Sequence, residues 1–305
     1  MHKTTSMICF PNAKINLGLN IVSRRQDGYH NLETIFYPIG LKDALEILPA
    51  GTSVPPATTD HTTDTHHLRS NEMSGRNTPY RFFQTGDVIE GNSEDNLVIK
   101  ALKLILSEKE LPPLDIHLFK KIPSGAGLGG GSSDAAAMLR IVNDSFRLCY
   151  TDQELAQLAA RLGADCPFFL FNRPAFATGI GDELESLEVD IDDLFCVLVK
   201  PDISIPTKEA YAMITPRKPE LSLKEIVKKP ITEWKELMKN DFEPSVFEKY
   251  PQICRIKQQL YERGALYASM SGSGSSVYGF FRKEQELKEL RIMFDNHFIW
   301  TNKER

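Results

Sequence analysis

The apolar positions follow two different periods along the chain. Between Ile15 and Ile21 every second residue is aliphatic (Ile15, Leu17, Leu19, Ile21), and Lys14, Asn16 and Asn20 alternate with them. That spacing predicts a strand with one buried and one polar face. Strand-like runs follow at 32–39 and 44–48. From about 50 to 79 the pattern stops. This stretch holds Pro55-Pro56, many threonines and only scattered apolar residues (Val54, Leu68, Met73), which predicts a mobile insertion. A strand near 80–84 then precedes a helical face made by Leu97, Val98, Ala101, Leu102, Ile105 and Leu106, with Pro112-Pro113 as its expected stop.

Leu114, Ile116 and Leu118 alternate again and lead directly into Pro123-Ser124-Gly125-Ala126-Gly127-Leu128-Gly129-Gly130-Gly131-Ser132-Ser133-Asp134. Ala135–Leu139, Val142 and Phe146 return to helical spacing, with Ser132 as the expected helix start. A capping box, Thr151 with Glu154, opens the next helix, which ends at Gly163. The C-terminal half combines an apolar strand at 195–199 with helices and a second glycine–serine turn, Ser271–Ser276, set between strand-like runs at 265–270 and 277–281. A helix near Lys283 and a strand near Phe298 close the chain. This predicts an α+β fold in two domains, 1–160 and 161–305.

Composition narrows the partners. A charged fraction of 25%, a hydrophobic fraction of 41% and a formal charge of -5 fit a globular protein without an electrostatic grip on nucleic acid. Five dispersed cysteines form no CxxC pair, which suits reduced thiols in a cytoplasm. No window carries the roughly 18 uninterrupted apolar residues of a membrane span. The expectation is a cytoplasmic protein with a small-molecule substrate, no membrane or nucleic-acid partner, and a monomeric or weakly dimeric state.

Phosphate binding needs backbone N–H groups converging on one point. A strand, a glycine-rich turn and a helix N-terminus in that order supply them. The run from Pro123 fits, and Ser132 and Ser133 add hydroxyls for phosphate or Mg²⁺. It is not a Walker A loop, because no Lys-Ser or Lys-Thr follows the glycines. Gly125-x-Gly127-x-x-Gly130 formally matches the dinucleotide fingerprint, but a second helix follows where a strand ending in an acidic residue belongs.

The glycine run resembles the phosphate loop of the GHMP kinases. Pro11-Asn12-Ala13-Lys14-Ile15-Asn16-Leu17, Arg25-Gln26-Asp27-Gly28-Tyr29-His30, Asp95-Asn96-Leu97, Leu162–Pro167 and Ser204-Ile205-Pro206-Thr207 are similar, in order, to the branch that phosphorylates a cytidyl-linked methylerythritol. The resemblance implies an N-terminal domain like domain 2 of ribosomal protein S5, a ferredoxin-like C-terminal domain and an active site in the cleft between them. It implies ATP with Mg²⁺, bound by Pro123, Ser124, Gly125, Ala126, Gly127, Leu128, Gly129, Gly130, Gly131, Ser132 and Ser133. Ser132 or Ser133 and the ATP phosphates are the candidates for holding the metal, which the sequence leaves open.

It also implies Lys14 and Asp165 as the catalytic pair, and Asn16, Tyr29, His30, Thr207 and Tyr211 around the acceptor, with Tyr211 stacking on cytosine. Without the resemblance, Asp165 before the apolar Pro167–Phe171 segment is a candidate general base with Lys14 to stabilise it, and a solvated helix-end Asp and a surface Lys are the other reading. The two tyrosines are then half-buried packing residues and Thr207 a helix N-cap. The chain departs from the family pattern at Asp134, where Asn is frequent, and in the length of the 50–79 insertion. The other readings are a mevalonate- or homoserine-type kinase of the same superfamily, and an RNA-binding protein with an S5-like fold. The acidic balance and the absence of basic clusters by the glycine run beyond Lys120-Lys121 oppose the latter.

Overall fold

The structure, a computed structural model, describes residues 7–50, 69–70, 79–87, 92–212, 214–283 and 285–303, with backbone alone at 69–70 and 285–287. Its strands are β1 (Met7–Cys9), β2 (Asn12–Arg24), β3 (His30–Lys42), β4 (Ala44–Pro49), β5 (Arg69–Ser70), β6 (Tyr80–Gly86), β7 (Leu114–Lys120), β8 (Ala175–Thr178), β9 (Glu183–Ser186), β10 (Phe195–Lys200), β11 (Tyr267–Met270), β12 (Val277–Phe281) and β13 (Phe298–Thr301). The helices that matter most for the site are α1 (Leu97–Leu106), α2 (Gly130–Phe146), α3 (Asp152–Ala160) and α4 (Cys166–Phe171). They confirm the predicted mixture of α and β.

The chain divides into two compact units that interleave along the sequence. The first takes the described residues of Met1–Asn12, Lys42–Ile122 and Gly130–Leu170. Its sheet runs β1-β4-β7-β6-β5, with β6 parallel to β7 and the other pairs antiparallel. Leu114, Ile116 and Leu118 of β7 point to one side, where Val98, Leu102 and Ile105 of α1 and Met138, Leu139 and Val142 of α2 cover them. Asn96 caps α1 by accepting from Val98 N–H at 2.9 Å, and the capping box at Thr151 and Glu154 opens α3 as predicted.

Three expectations change in this unit. Helix α1 ends at Leu106, well short of Pro112. At its end the Ser107 N–H donates to the Lys103 carbonyl at 3.0 Å and the Ser107 Oγ to the Leu104 carbonyl at 2.7 Å. Helix α2 begins at Gly130, two residues before Ser132, because the first helical turn needs no intrahelical donor and tolerates glycine there. The predicted mobility of the insertion falls mostly on residues outside the described ones. Within it, Arg69–Ser70 pair with Phe83–Gln84 as an edge strand that no apolar spacing announced.

The second unit takes Ala13–Leu41, Pro123–Gly129 and the described residues of Phe171–Arg305. It holds two four-stranded sheets, β2-β3-β8-β9 and β11-β12-β10-β13. Leu19, Ile21 and Leu32 join Val197, Val199, Ile256, Leu260 and Met270 in its core. The alternation in β2 is real, but its second face is not solvated: Lys14 is 4% and Asn16 2% exposed. Other parts of the unit cover that face, and the polar side chains there find protein partners. Thr207 is the first residue of the helix Thr207–Ala212 rather than its N-cap, since the Pro206 carbonyl accepts from Glu209 and Ala210.

Candidate active site

Within the second unit, the glycine turn Pro123–Gly129 is held against β2 and against the β11–β12 turn. Lys14 N–H donates to the Leu128 carbonyl at 2.9 Å, and Lys14 Nζ donates to Asn16 Oδ1 at 2.5 Å and to the Gly127 carbonyl at 3.1 Å. The ammonium also lies 5.0 Å from the centre of the Phe36 ring, a cation–π contact. Asn16 Nδ2 donates to Thr34 Oγ1 at 2.9 Å, so the amide is oriented with its oxygen toward Lys14.

The second glycine turn supports the first. Ser271 Oγ donates to the Gly127 carbonyl at 2.8 Å and accepts from Asn16 N–H at 3.2 Å. Ser276 N–H donates to the Ala126 carbonyl at 3.3 Å. Asn240 Nδ2 braces this turn by donating to the Met270 and Gly272 carbonyls, each at 2.8 Å. Gly125, Gly127 and Gly129 all have positive φ (61°, 75° and 69°), which glycine alone adopts without cost. At Gly127 space forbids anything else, since a Cβ would lie 2.0 Å from the Ser271 carbonyl oxygen.

Within the first unit, α2 opens on Gly130, Gly131, Ser132 and Ser133, and Asp134 lies buried behind them, 1% exposed. Lys120 Nζ donates to Asp134 Oδ2 at 2.7 Å and to Asp43 Oδ2. Asp43 Oδ1 accepts the N–H groups of Lys121 and Ile122 at 2.6 and 2.8 Å. Burial holds the Asp134 carboxyl above the usual carboxylate range; Lys120 opposes the shift and the charge of Asp43 adds to it. Burial presses the Lys120 ammonium down, but the two carboxylates outweigh it and leave the group above its ordinary value.

Asp165 sits half-buried in the turn that leads into α4. The next residue, Cys166, is buried and its thiol is pushed up to about 11 by burial. A hydrogen bond with Ser132 opposes that shift and the charge of Asp165 adds to it. The starts of α2 and α4 are therefore neighbours, bringing the predicted base and the predicted phosphate-site hydroxyls to one end of this unit.

Among the predicted acceptor residues in the second unit, His30 and Tyr211 come together, their rings stacked 5.1 Å apart at 24°. Tyr211 meets Phe242 edge-on at 4.8 Å. Tyr29 is 61% exposed, and its backbone is fixed in the β2–β3 turn, where its N–H donates to Asp27 Oδ1 at 3.0 Å. Thr207 is exposed. Sequence reasoning missed Thr34, Asn240, Lys120, Asp43 and the individual role of Ser271. Only the serine spacing of the second turn hinted at any of them. Among the described residues no group of three or more His, Cys, Asp or Glu could hold a metal ion, and no helix is long and apolar enough to cross a membrane.

Comparison with known proteins agrees with this arrangement. The family model for the GHMP kinases N terminal domain matches residues 96–173, and that for the GHMP kinases C terminal domain matches 222–298. A 4-diphosphocytidyl-2-C-methyl-D-erythritol kinase of Parabacteroides distasonis is 53% identical over 294 residues, covering 96% of this chain and 98% of its own. One from Bacteroides thetaiotaomicron is 50% identical over 283 residues, covering 93% and 95%. A crystal structure of 4-(cytidine 5'-diphospho)-2C-methyl-D-erythritol kinase superposes with a TM-score of 0.77 at 28% identity, over 97% of this chain and 98% of that one. A homoserine kinase from Cytophaga hutchinsonii, at 15% identity and a TM-score of 0.65, shares the fold. Identity at this level over nearly the whole chain, with both family models matched in order, means that the chain belongs to the 4-diphosphocytidyl-2-C-methyl-D-erythritol kinases of the GHMP kinase superfamily.

Proposed function

We propose that this kinase transfers the γ-phosphoryl group of ATP to the 2-hydroxyl of 4-diphosphocytidyl-2-C-methyl-D-erythritol. The products are the 2-phosphate and ADP, a step of the non-mevalonate route to isoprenoid precursors. The relatives carry the choice of acceptor. The chemistry is supported chiefly by one observation: the buried Lys14 ammonium is tied to the Gly127 carbonyl of the glycine turn. A fixed cation against a phosphate-type turn suits a reaction in which positioning and charge stabilisation do most of the work.

In this mechanism the N–H groups of the glycine run and of the first turn of α2 receive the phosphates. Asp165 takes the proton of the attacking hydroxyl as the O–P bond forms, and Lys14 orients that oxygen and offsets the charge of the transferring group. Ser132 and Ser133 have the hard oxygen donors that suit Mg²⁺, which when bound would neutralise charge on the β- and γ-phosphates. Asn16, Tyr29, His30, Thr207 and Tyr211 are assigned to the cytidine and the methylerythritol chain. An aromatic face with edge donors is what a nucleobase requires.

An assay of ADP release across four acceptors tests this. Only the cytidyl-linked methylerythritol should be turned over, with mevalonate, homoserine and galactose at background. Comparable turnover of mevalonate or homoserine would overturn the acceptor assignment and leave the superfamily intact.

A further inference from the structure

Asp134 has no place in the mechanism above, yet its surroundings are unusually constrained. Lys120 ends β7, the strand that enters the glycine run, and Asp134 lies in the first turns of α2, the helix that leaves it. The hydrogen bond between them, at 2.7 Å, joins residues 14 apart and closes the run at its base. Lys120 is immobilised independently. Its carbonyl accepts Asp87 N–H at 2.9 Å, and its ammonium also bonds Asp43. Gly86, at φ 82°, lies so close that a Cβ there would be 2.1 Å from the Lys120 carbonyl oxygen.

Asp43 is fully engaged, by Lys120 and by the N–H groups of Lys121 and Ile122, while its own N–H donates to the Pro11 carbonyl at 2.9 Å. Asp134 bonds through one oxygen only: Oδ1 is buried with no hydrogen-bond partner. Two carboxylates thus face one ammonium in a buried cluster. Asp43 already supplies one counter-charge to the Lys120 ammonium, and Asp134 adds a second acceptor oxygen on α2.

We propose that the Lys120–Asp134 bond is a positioning element for nucleotide binding, closing the glycine run and fixing the direction in which the first turn of α2 presents its N–H groups and the Ser132 and Ser133 hydroxyls. It rests on the assignment of that run to the ATP phosphates. The acceptor oxygen matters and the charge does not, which makes Asn an equivalent residue at this position. Neither side chain touches substrate; both act through the backbone they hold.

The test compares Asp134→Ala, Asp134→Asn and Lys120→Met with the parent chain. ADP affinity is measured by calorimetry, and KM for ATP and for the acceptor are measured separately. Asp134→Ala leaves the Lys120–Asp43 pair intact and removes only the tie to α2. It should weaken ADP binding and raise the ATP KM by about tenfold, the scale of a small misplacement of binding groups, with the acceptor KM within about twofold. Asp134→Asn should restore ADP affinity and ATP KM to within about twofold of the parent. Lys120→Met should show the ATP-side defect of Asp134→Ala if it folds; the two Asp134 variants decide the matter if it does not. Folded Asp134→Ala with parental ADP affinity, Asp134→Asn as defective as Asp134→Ala, or an acceptor KM rising in parallel would each overturn the proposal. A parent chain that binds no ADP overturns the nucleotide assignment itself, and this inference with it.

Discussion

A lysine ammonium on a buried strand face has to find acceptors, and Lys14 finds Asn16 Oδ1 and the Gly127 carbonyl. Its removal should therefore affect both stability and rate. Lys14→Ala leaves Asn16 Oδ1 without that donor in the interior, at a cost of about 1–3 kcal/mol, and takes the cation from the proposed transition state. A melt showing a loss of several degrees, together with a kcat reduced at least about 100-fold, is expected. Asp165 sits half-buried in a turn, so Asp165→Asn should cut kcat by a similar or larger factor with little change in melting temperature and in ADP affinity. Near-parental turnover of Asp165→Asn at saturating substrates would show that another group takes the proton. In the sequence, the position of Asp165 before an apolar run and of Lys14 on a polar strand face made each a candidate, and family likeness made them the proposed pair. Alternation placed Lys14 and Asn16 on a polar face, but a local period cannot tell a face open to water from one covered by Ser271 and Tyr278. The Tyr278 hydroxyl donates to the Asn16 carbonyl at 2.8 Å.

Among the elements, the two glycine-rich turns behave as one piece, and their glycines are not interchangeable. At Gly125 the nearest atom to an added Cβ is Ser204 Oγ at 3.5 Å, so alanine costs only the left-handed backbone, about 1–2 kcal/mol. At Gly127 the obstacle is the backbone carbonyl of Ser271 at 2.0 Å, which cannot swing aside as a side chain would. Gly127→Ala should accordingly lower the melting temperature distinctly more than Gly125→Ala and abolish the stabilisation given by ADP. Equal melting temperatures for the two variants would show that the second turn yields easily and does not brace the first. The strand–turn–helix order and the need for bare backbone were legible from the run itself. The serine of a distant turn that supplies the bracing bond was not, because no local spacing encodes a contact between residues 127 and 271.

In the molecule as a whole the elements follow the sequence closely, but their grouping does not. Strand β3 pairs with β8 (Thr34↔Ala177, Ile35↔Phe176, Phe36↔Ala175), so the N-terminal β2 and β3 belong to the same compact unit as most of the C-terminal half. Periodicity records which residues face a core and is silent about which core. The cysteines give a test across both units. Cys149 is exposed, Cys9 and Cys254 are half-buried, and Cys166 and Cys196 are buried; burial pushes the Cys9 thiol up to about 12, with Asp134 adding to it, and the Cys196 thiol to about 12. Cys166 stands at about 11. A raised thiol pKa lowers the thiolate fraction at a given pH, to about one part in a thousand at pH 8 for a pKa near 11, and thiolate is the reactive form. A disulfide-exchange reagent at pH 8 should therefore modify Cys149 quickly and Cys254 more slowly. Cys9, half-buried but with its thiol raised, should react more slowly than Cys254, and the buried Cys166 and Cys196, one in each unit, only as fast as the chain unfolds. All five thiols are free, so dithiothreitol should leave the melting temperature unchanged. Fast modification of Cys166 in the folded chain would mean that the start of α4 opens readily, which contradicts a fixed Asp165 beside it.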